Sequence, residues 1–143
     1  MKKLREMLKN EKGFTLIELL AVIVILGIIA AIAIPAIGSL IASTEEDAHD
    51  ANALSLLESA RLAYVSGDIT EDNSPVSAAD LVTAGYLDGE PQDPETDGTY
   101  DTAEVAIAKV DGSNQVTYKV TLGNDTNGKY VDGKSKSDLN AAE

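Results

Sequence analysis

One carboxylate stands where a carboxylate is costly. Glu18 opens an apolar run with no other charge from Leu19 to Ala42. At mid-membrane a lone acid costs about 2.5–3.5 kcal/mol on insertion scales. The chemistry open to it is pairing with a cation, since a paired charge in an apolar layer costs far less than an unpaired one. Phe14 lies four residues earlier, so on a helix the two share a face. The other candidates are weaker. His49 is the single histidine and sits among acids, which reads as a solvated position. With no second histidine and no cysteine it is not expected to bind a metal. Asp88, Glu90, Asp93, Glu95, Asp97 and Asp101 could gather oxygens around Ca²⁺, although acidic runs are ordinarily solvated loops and this spacing matches no ligand pattern. No cysteine, no phosphate loop and no placed carboxylate pair is present, so no catalytic set emerges and the chain does not read as an enzyme.

The element that must position Glu18 is a helix. The run from Leu19 to Ala42 covers 24 residues, about 36 Å as α-helix, against a hydrocarbon core of roughly 30 Å. Five of the 11 cations and two of the 24 acids precede Phe14, leaving six cations and 22 acids after it, a net charge of −16. Positive flanks stay inside, so the expected orientation is N-terminus in and C-terminus out. So acidic a surface argues against direct nucleic-acid binding. A cleaved secretory signal is one alternative, with Ala31-Ile32-Ala33 as a cleavage-like site. Its apolar stretch is long for that role, and Glu18 interrupts its start. A plain anchor explains the length but not Glu18. Gly27-x-x-x-Ala31 and Gly38-x-x-x-Ala42 provide small residues for close helix packing. Pro35 withholds an N–H from the carbonyl of Ala31 and should kink or loosen the helix there.

Past Ala42 the pattern turns amphipathic. Leu54, Leu57 and Arg61 recur on one side, with Ala53, Leu56, Ala60 and Tyr64 beside them. Helix is expected to continue over 43–66 and stop at Gly67-Asp68, so that a helix from Phe14 to Ser66 would be roughly 80 Å long. Ser77 and Asp80 form a capping-box pattern for a short helix over 77–84 closed by Gly85. Alternation of Val116, Tyr118, Val120 and Leu122 with Thr117, Lys119 and Thr121 marks a half-buried strand. Asn127-Gly128 marks a hairpin. Antiparallel strands are expected over about 103–131, packed on the Leu54–Tyr64 stretch, within a small globular domain over 67–143. The tail from Asp132 reads as polar and mobile. The fold class is α+β: a long N-terminal helix on a small antiparallel sheet.

Lys12-Gly13-Phe14-Thr15-Leu16-Ile17-Glu18-Leu19-Leu20 closely resembles the N-terminal signature of type IV pilins and pseudopilins, and Pro35 matches a proline common in that family's helix. The resemblance implies removal of a basic leader, 1–13, by a prepilin peptidase that cuts between Gly13 and Phe14 and methylates the new amine of Phe14. It implies a transmembrane and filament-core helix over 14–42, with Pro35 as a soft point. A new amine at the depth of Glu18 could pair with it in the same chain, or with Glu18 of a neighbour, setting subunit register. Expected partners are further copies of the chain, the peptidase and methylase, an assembly platform protein with its ATPase, and the membrane. No cofactor is expected, apart from the calcium alternative above. The function implied is a structural subunit of a surface filament for adhesion, motility or biofilm. A pseudopilin of a secretion or DNA-uptake machine is the alternative. A membrane-anchored binding module that never polymerises is the alternative from another class.

Overall fold

The computed structural model of the chain describes the backbone of residues 2–141 and the side chains of all of these except 4 and 7–14. Helix α1 runs Lys2–Ser66, followed by strand β1 (Val76–Ser77), helix α2 (Ala78–Thr83), strands β2 (Thr102–Lys109), β3 (Val116–Asn124) and β4 (Gly128–Lys134), and helix α3 (Lys136–Asn140). The chain divides into two compact units, residues 1–42 and 43–143.

The first unit is helix throughout its described residues, and Pro35 lies inside it without interrupting it. A high density of Leu, Ile, Val and Ala sustains it, with little side-chain competition for backbone partners. Ser39 returns its hydroxyl to the Ala36 carbonyl at 2.9 Å, within the turn after the proline.

In the second unit α1 ends as Gly67 takes a positive φ and the Asp68 N–H reaches back to the Ala63 carbonyl at 3.1 Å, a Schellman closure. Ser77 is both the last residue of β1 and the N-cap of α2. Its hydroxyl accepts from the Asp80 N–H at 3.1 Å while its own N–H meets the Asp80 carboxylate. The four strands form one antiparallel sheet in chain order. Register sets Val76 against Val105 and Val105 against Val120, so one row of valines crosses three strands on the inner face. That face meets a helical stripe of Ala53, Leu56, Leu57, Ala60 and Ala63, all buried, with Leu81, Leu122 and Val131 completing the core. The buried side chains recur at the helix period, and the buried residues of β2 and β3 at the strand period. Burying a Leu or Val fully is worth about 1.5–3 kcal/mol, which makes this face the main source of the unit's stability.

Two expectations change. The tail is not a loose end, because β4 extends to Lys134 and α3 follows. Ser135 and Asp138 form a second capping box there, and Leu139 is buried in the core. Arg61, grouped in the sequence with the apolar stripe, is exposed, and Ala63 takes the buried position instead.

Candidate functional site

Sixteen large apolar side chains between Leu16 and Ile41 are each at least half exposed. At about 1.5–3 kcal/mol for burying each, the uncovered surface is worth roughly tens of kcal/mol, well beyond the 5–15 that holds an ordinary domain together. The helix is long and apolar enough to cross a membrane, with none of its apolar window buried inside the protein. This surface has to be covered by lipid or by other helices.

Glu18 is exposed on it and has no ion-pair partner among the described residues. At 100° per residue, Ile25, Ile29 and Ala36 share its face. Gly27 is nine residues on, half a turn away, and Ala31 and Gly38 lie near it around the axis. Above Gly27 and Gly38 a Cβ would meet nothing within 4 Å, so both backbones are open to close approach. The helix therefore carries two distinct faces, one with the carboxylate and one with the small residues. The expected cleavage and methylation at Gly13 and Phe14 fall outside the described side chains.

In the second unit the titratable groups form a network that sequence reasoning missed. His49 is only 4 % exposed. Its Nδ1 lies 2.8 Å from the Tyr100 hydroxyl, and its ring stacks on Tyr130 at 4.0 Å. Asn52 donates to the Tyr100 oxygen at 3.0 Å, an arrangement that suits a Tyr100 proton directed to Nδ1, and Nε2 is buried without a hydrogen-bond partner. Glu95 Oε1 lies 3.6 Å from that nitrogen, an ion-pair distance when the ring is charged. Asp93, expected in a solvated loop, is 1 % exposed. It accepts from the Tyr130 hydroxyl at 3.2 Å and from the Glu95 N–H at 2.9 Å. Burial, above all, raises the pKa of Tyr100 and of Tyr130, so both remain protonated donors at neutral pH.

His49 is thus not solvated. The available signal was its phase: 49, 53, 56, 60 and 63 recur on one face. Asp93 gave no such signal, since its partner Tyr130 is 37 residues away. Among the described residues no three His, Asp or Glu side chains converge as metal ligands. The network fastens the acidic loop to α1 and β4.

The family profile for the prokaryotic N-terminal methylation motif matches residues 8–34. The chain is similar to a fimbrial protein of Dichelobacter nodosus, 34 % identical over 123 residues, which covers 85 % of this chain and 64 % of the relative. It is also similar to the type IV major fimbrial protein FimA of Dichelobacter nodosus, 35 % identical over 104 residues, covering 71 % of this chain and 54 % of that one. The chain thus spans a little under two thirds of the first relative and about half of the second. No solved structure gave a significant match.

Proposed function

We propose that this pilin-like chain, which carries the type IV prepilin methylation motif, is a structural subunit of a type IV pilus-like filament. The observation that carries the reading is the exposed apolar helix with one carboxylate at its front edge. Before assembly, lipid covers that surface. After assembly, helices of other copies cover it, and the sheet-bearing units face water.

The exchange is between two apolar surroundings, so it offers little hydrophobic driving force of its own. Direction and register then come from polar contacts, and Glu18 is the residue placed for them. Removal of 1–13 at Gly13 would give Phe14 a free amine one helical turn from Glu18. The Glu18 of an incoming subunit neutralises the amine of a neighbour, and methylation leaves that amine its charge. The small-residue face around Gly27, Ala31 and Gly38 is free for close packing on a different neighbour. Two unlike faces on one helix give a heterologous contact, which repeats without closing. Pro35 leaves the Ala31 carbonyl without its helical donor and is the point at which the packed helix stretches.

The curated relatives are fimbrial proteins, which supports a surface filament over a secretion or DNA-uptake pseudopilus. A subunit that reaches the outer face of the membrane before polymerising suits the charge asymmetry around the apolar run. The reading assigns the chain no catalytic role.

Intact mass of the membrane-extracted protein tests the processing step. Loss of 1–13 with one added methyl group is expected. A chain that keeps Met1, or one cut after Ala33, refutes it. Electron microscopy of filaments from cells with this chain as sole pilin-like subunit tests polymerisation.

A further inference from the structure

A cation-lined groove in the second unit plays no part in the helix-driven assembly just described. α1, β3 and the α3 region line an open groove of about 640 Å³. Leu57, Val116 and Tyr118 give it an apolar lining, and Arg61, Lys119 and Lys136 supply cations. Only six cations follow Gly13, against 22 acids, so half of them border this one groove. Lys136 holds Glu58 at 2.6 Å. Arg61 and Lys119 make no ion pair among the described residues. Lys119 acts on the Asp138 carboxylate at longer range, and an apolar lining with two cations outside any ion pair fits an acidic segment that brings an apolar side chain with it.

We propose that the groove docks the acidic surface of a second copy of this chain, adjacent to it in the filament. Charge selects this occupant. Each copy carries −16 after Gly13, so copies brought into a polymer repel one another unless their contacts set cations against acids. The groove supplies the cations. The acids are plentiful and lie elsewhere on the same unit, with Glu46, Asp47, Glu90 and Asp97 exposed and outside the groove. A groove on one surface that receives acids from another is again a heterologous contact, able to repeat along a filament. The inference rests on the polymerisation reading above and adds to it a contact between the water-facing units.

Carbodiimide treatment of sheared filaments, followed by separation of covalent dimers and peptide mass mapping, tests it. The reagent joins a lysine amine to a nearby carboxylate as an amide. The Lys136–Glu58 pair should link within one subunit and mark successful reaction in the monomer band. Dimers joined from Lys119 or Lys136 to an Asp or Glu of another copy are expected. Lys119→Arg should lose its own link and keep assembly. Arg61→Glu with Lys119→Glu should lower filament yield about tenfold, the effect of about 1.4 kcal/mol per contact. Both residues are exposed, and unchanged circular dichroism of the extracted subunit would separate that loss from misfolding. A linked monomer without dimers, dimers joined only through other lysines, or links to a different protein would overturn the proposal while leaving polymerisation intact. Absence of filaments from the unaltered chain would sink both.

Discussion

Replacing His49 by alanine is the sharpest test of the buried network. The substitution removes the acceptor 2.8 Å from the Tyr100 hydroxyl and the ring stacked 4.0 Å from Tyr130. A buried hydroxyl left without its acceptor costs about 1–3 kcal/mol, and a lost aromatic pair about 0.5–1.5. The Asn52 amide donates to the Tyr100 oxygen and cannot replace that acceptor, so the first cost stands. The sum is about 2–4 kcal/mol, a sizeable part of the 5–15 expected for a domain. At 4–8 °C for each kcal/mol in a unit of this size, Tm should fall by roughly 8–32 °C. Urea and thermal unfolding of the detergent-extracted chain measure it. The probe is near-ultraviolet circular dichroism of tyrosine, since the chain has no tryptophan. His49→Phe keeps a ring for the stack and loses only the acceptor, so about half the effect is expected. A loss below about 0.5 kcal/mol for the alanine variant, the level of an ordinary surface change, would refute the buried placement of His49 and with it the anchoring of the acidic loop.

Three further outcomes follow from separate features. Glu18→Ala should leave leader removal intact and abolish or misorder filaments. Normal filaments from that variant in cells lacking the native subunit would contradict charge pairing. Gly123→Ala would set a Cβ 3.0 Å from the Gly128 carbonyl oxygen and 3.2 Å from the Lys129 Cα, so a loss of about 1–3 kcal/mol is expected in urea unfolding. Acid should loosen the turns at Asp138 and Glu71 first. Hydrogen bonds from the Ser135 backbone and then its hydroxyl lower the Asp138 pKa, while its own backbone amide and then the Tyr64 hydroxyl lower that of Glu71. A depressed folded pKa adds stability above the unfolded value, and that stability is lost as pH falls through the folded one. Amide exchange at Ser135–Leu139 and Glu71–Asn73 should therefore quicken below the ordinary carboxylate range, and unchanged exchange there would count against the Asp138 cap and the 2.8 Å bond from Tyr64 to Glu71.

The long helix and the sheet were legible because each is written in a period. The run 19–42 has one composition over many turns, and 116–122 alternates without a break. Glu18 draws notice for a related reason: a charge is conspicuous where nothing else is charged. His49 was hidden by its neighbours. Glu45, Glu46 and Asp47 advertise solvent, yet Glu45 lies one turn before His49 on the same face and is itself half-buried, so the neighbouring acids are no guide to His49, whose phase with 53, 56 and 60 points inward. The α3 segment was missed although Ser135-Lys-Ser-Asp138 repeats the cap read correctly at Ser77–Asp80. Its one buried anchor, Leu139, carries no period to read. Asp93 lay beyond local inspection altogether, because a carboxylate is drawn inside only when its hydrogen-bond donors are already there, and Tyr130 arrives from another strand.

The two units handle their carboxylates in opposite ways, and the contrast bears on function. Asp93 is buried with two donors supplied from within its own unit, so its desolvation is met on folding and requires no second molecule. Glu18 stands on an apolar surface and finds no ion-pair partner among the described residues of its own chain. The physical cost of an unpaired acid is the same kind in both places, but only the first is settled inside one copy. A fold that can satisfy a buried acid so fully in one region has no general inability to do so in the other. On the proposed filament reading, the acid at the front of this uncovered helix is a contact reserved for a neighbour. It sits half a turn from Gly27, so engaging that neighbour leaves the small-residue face available for another.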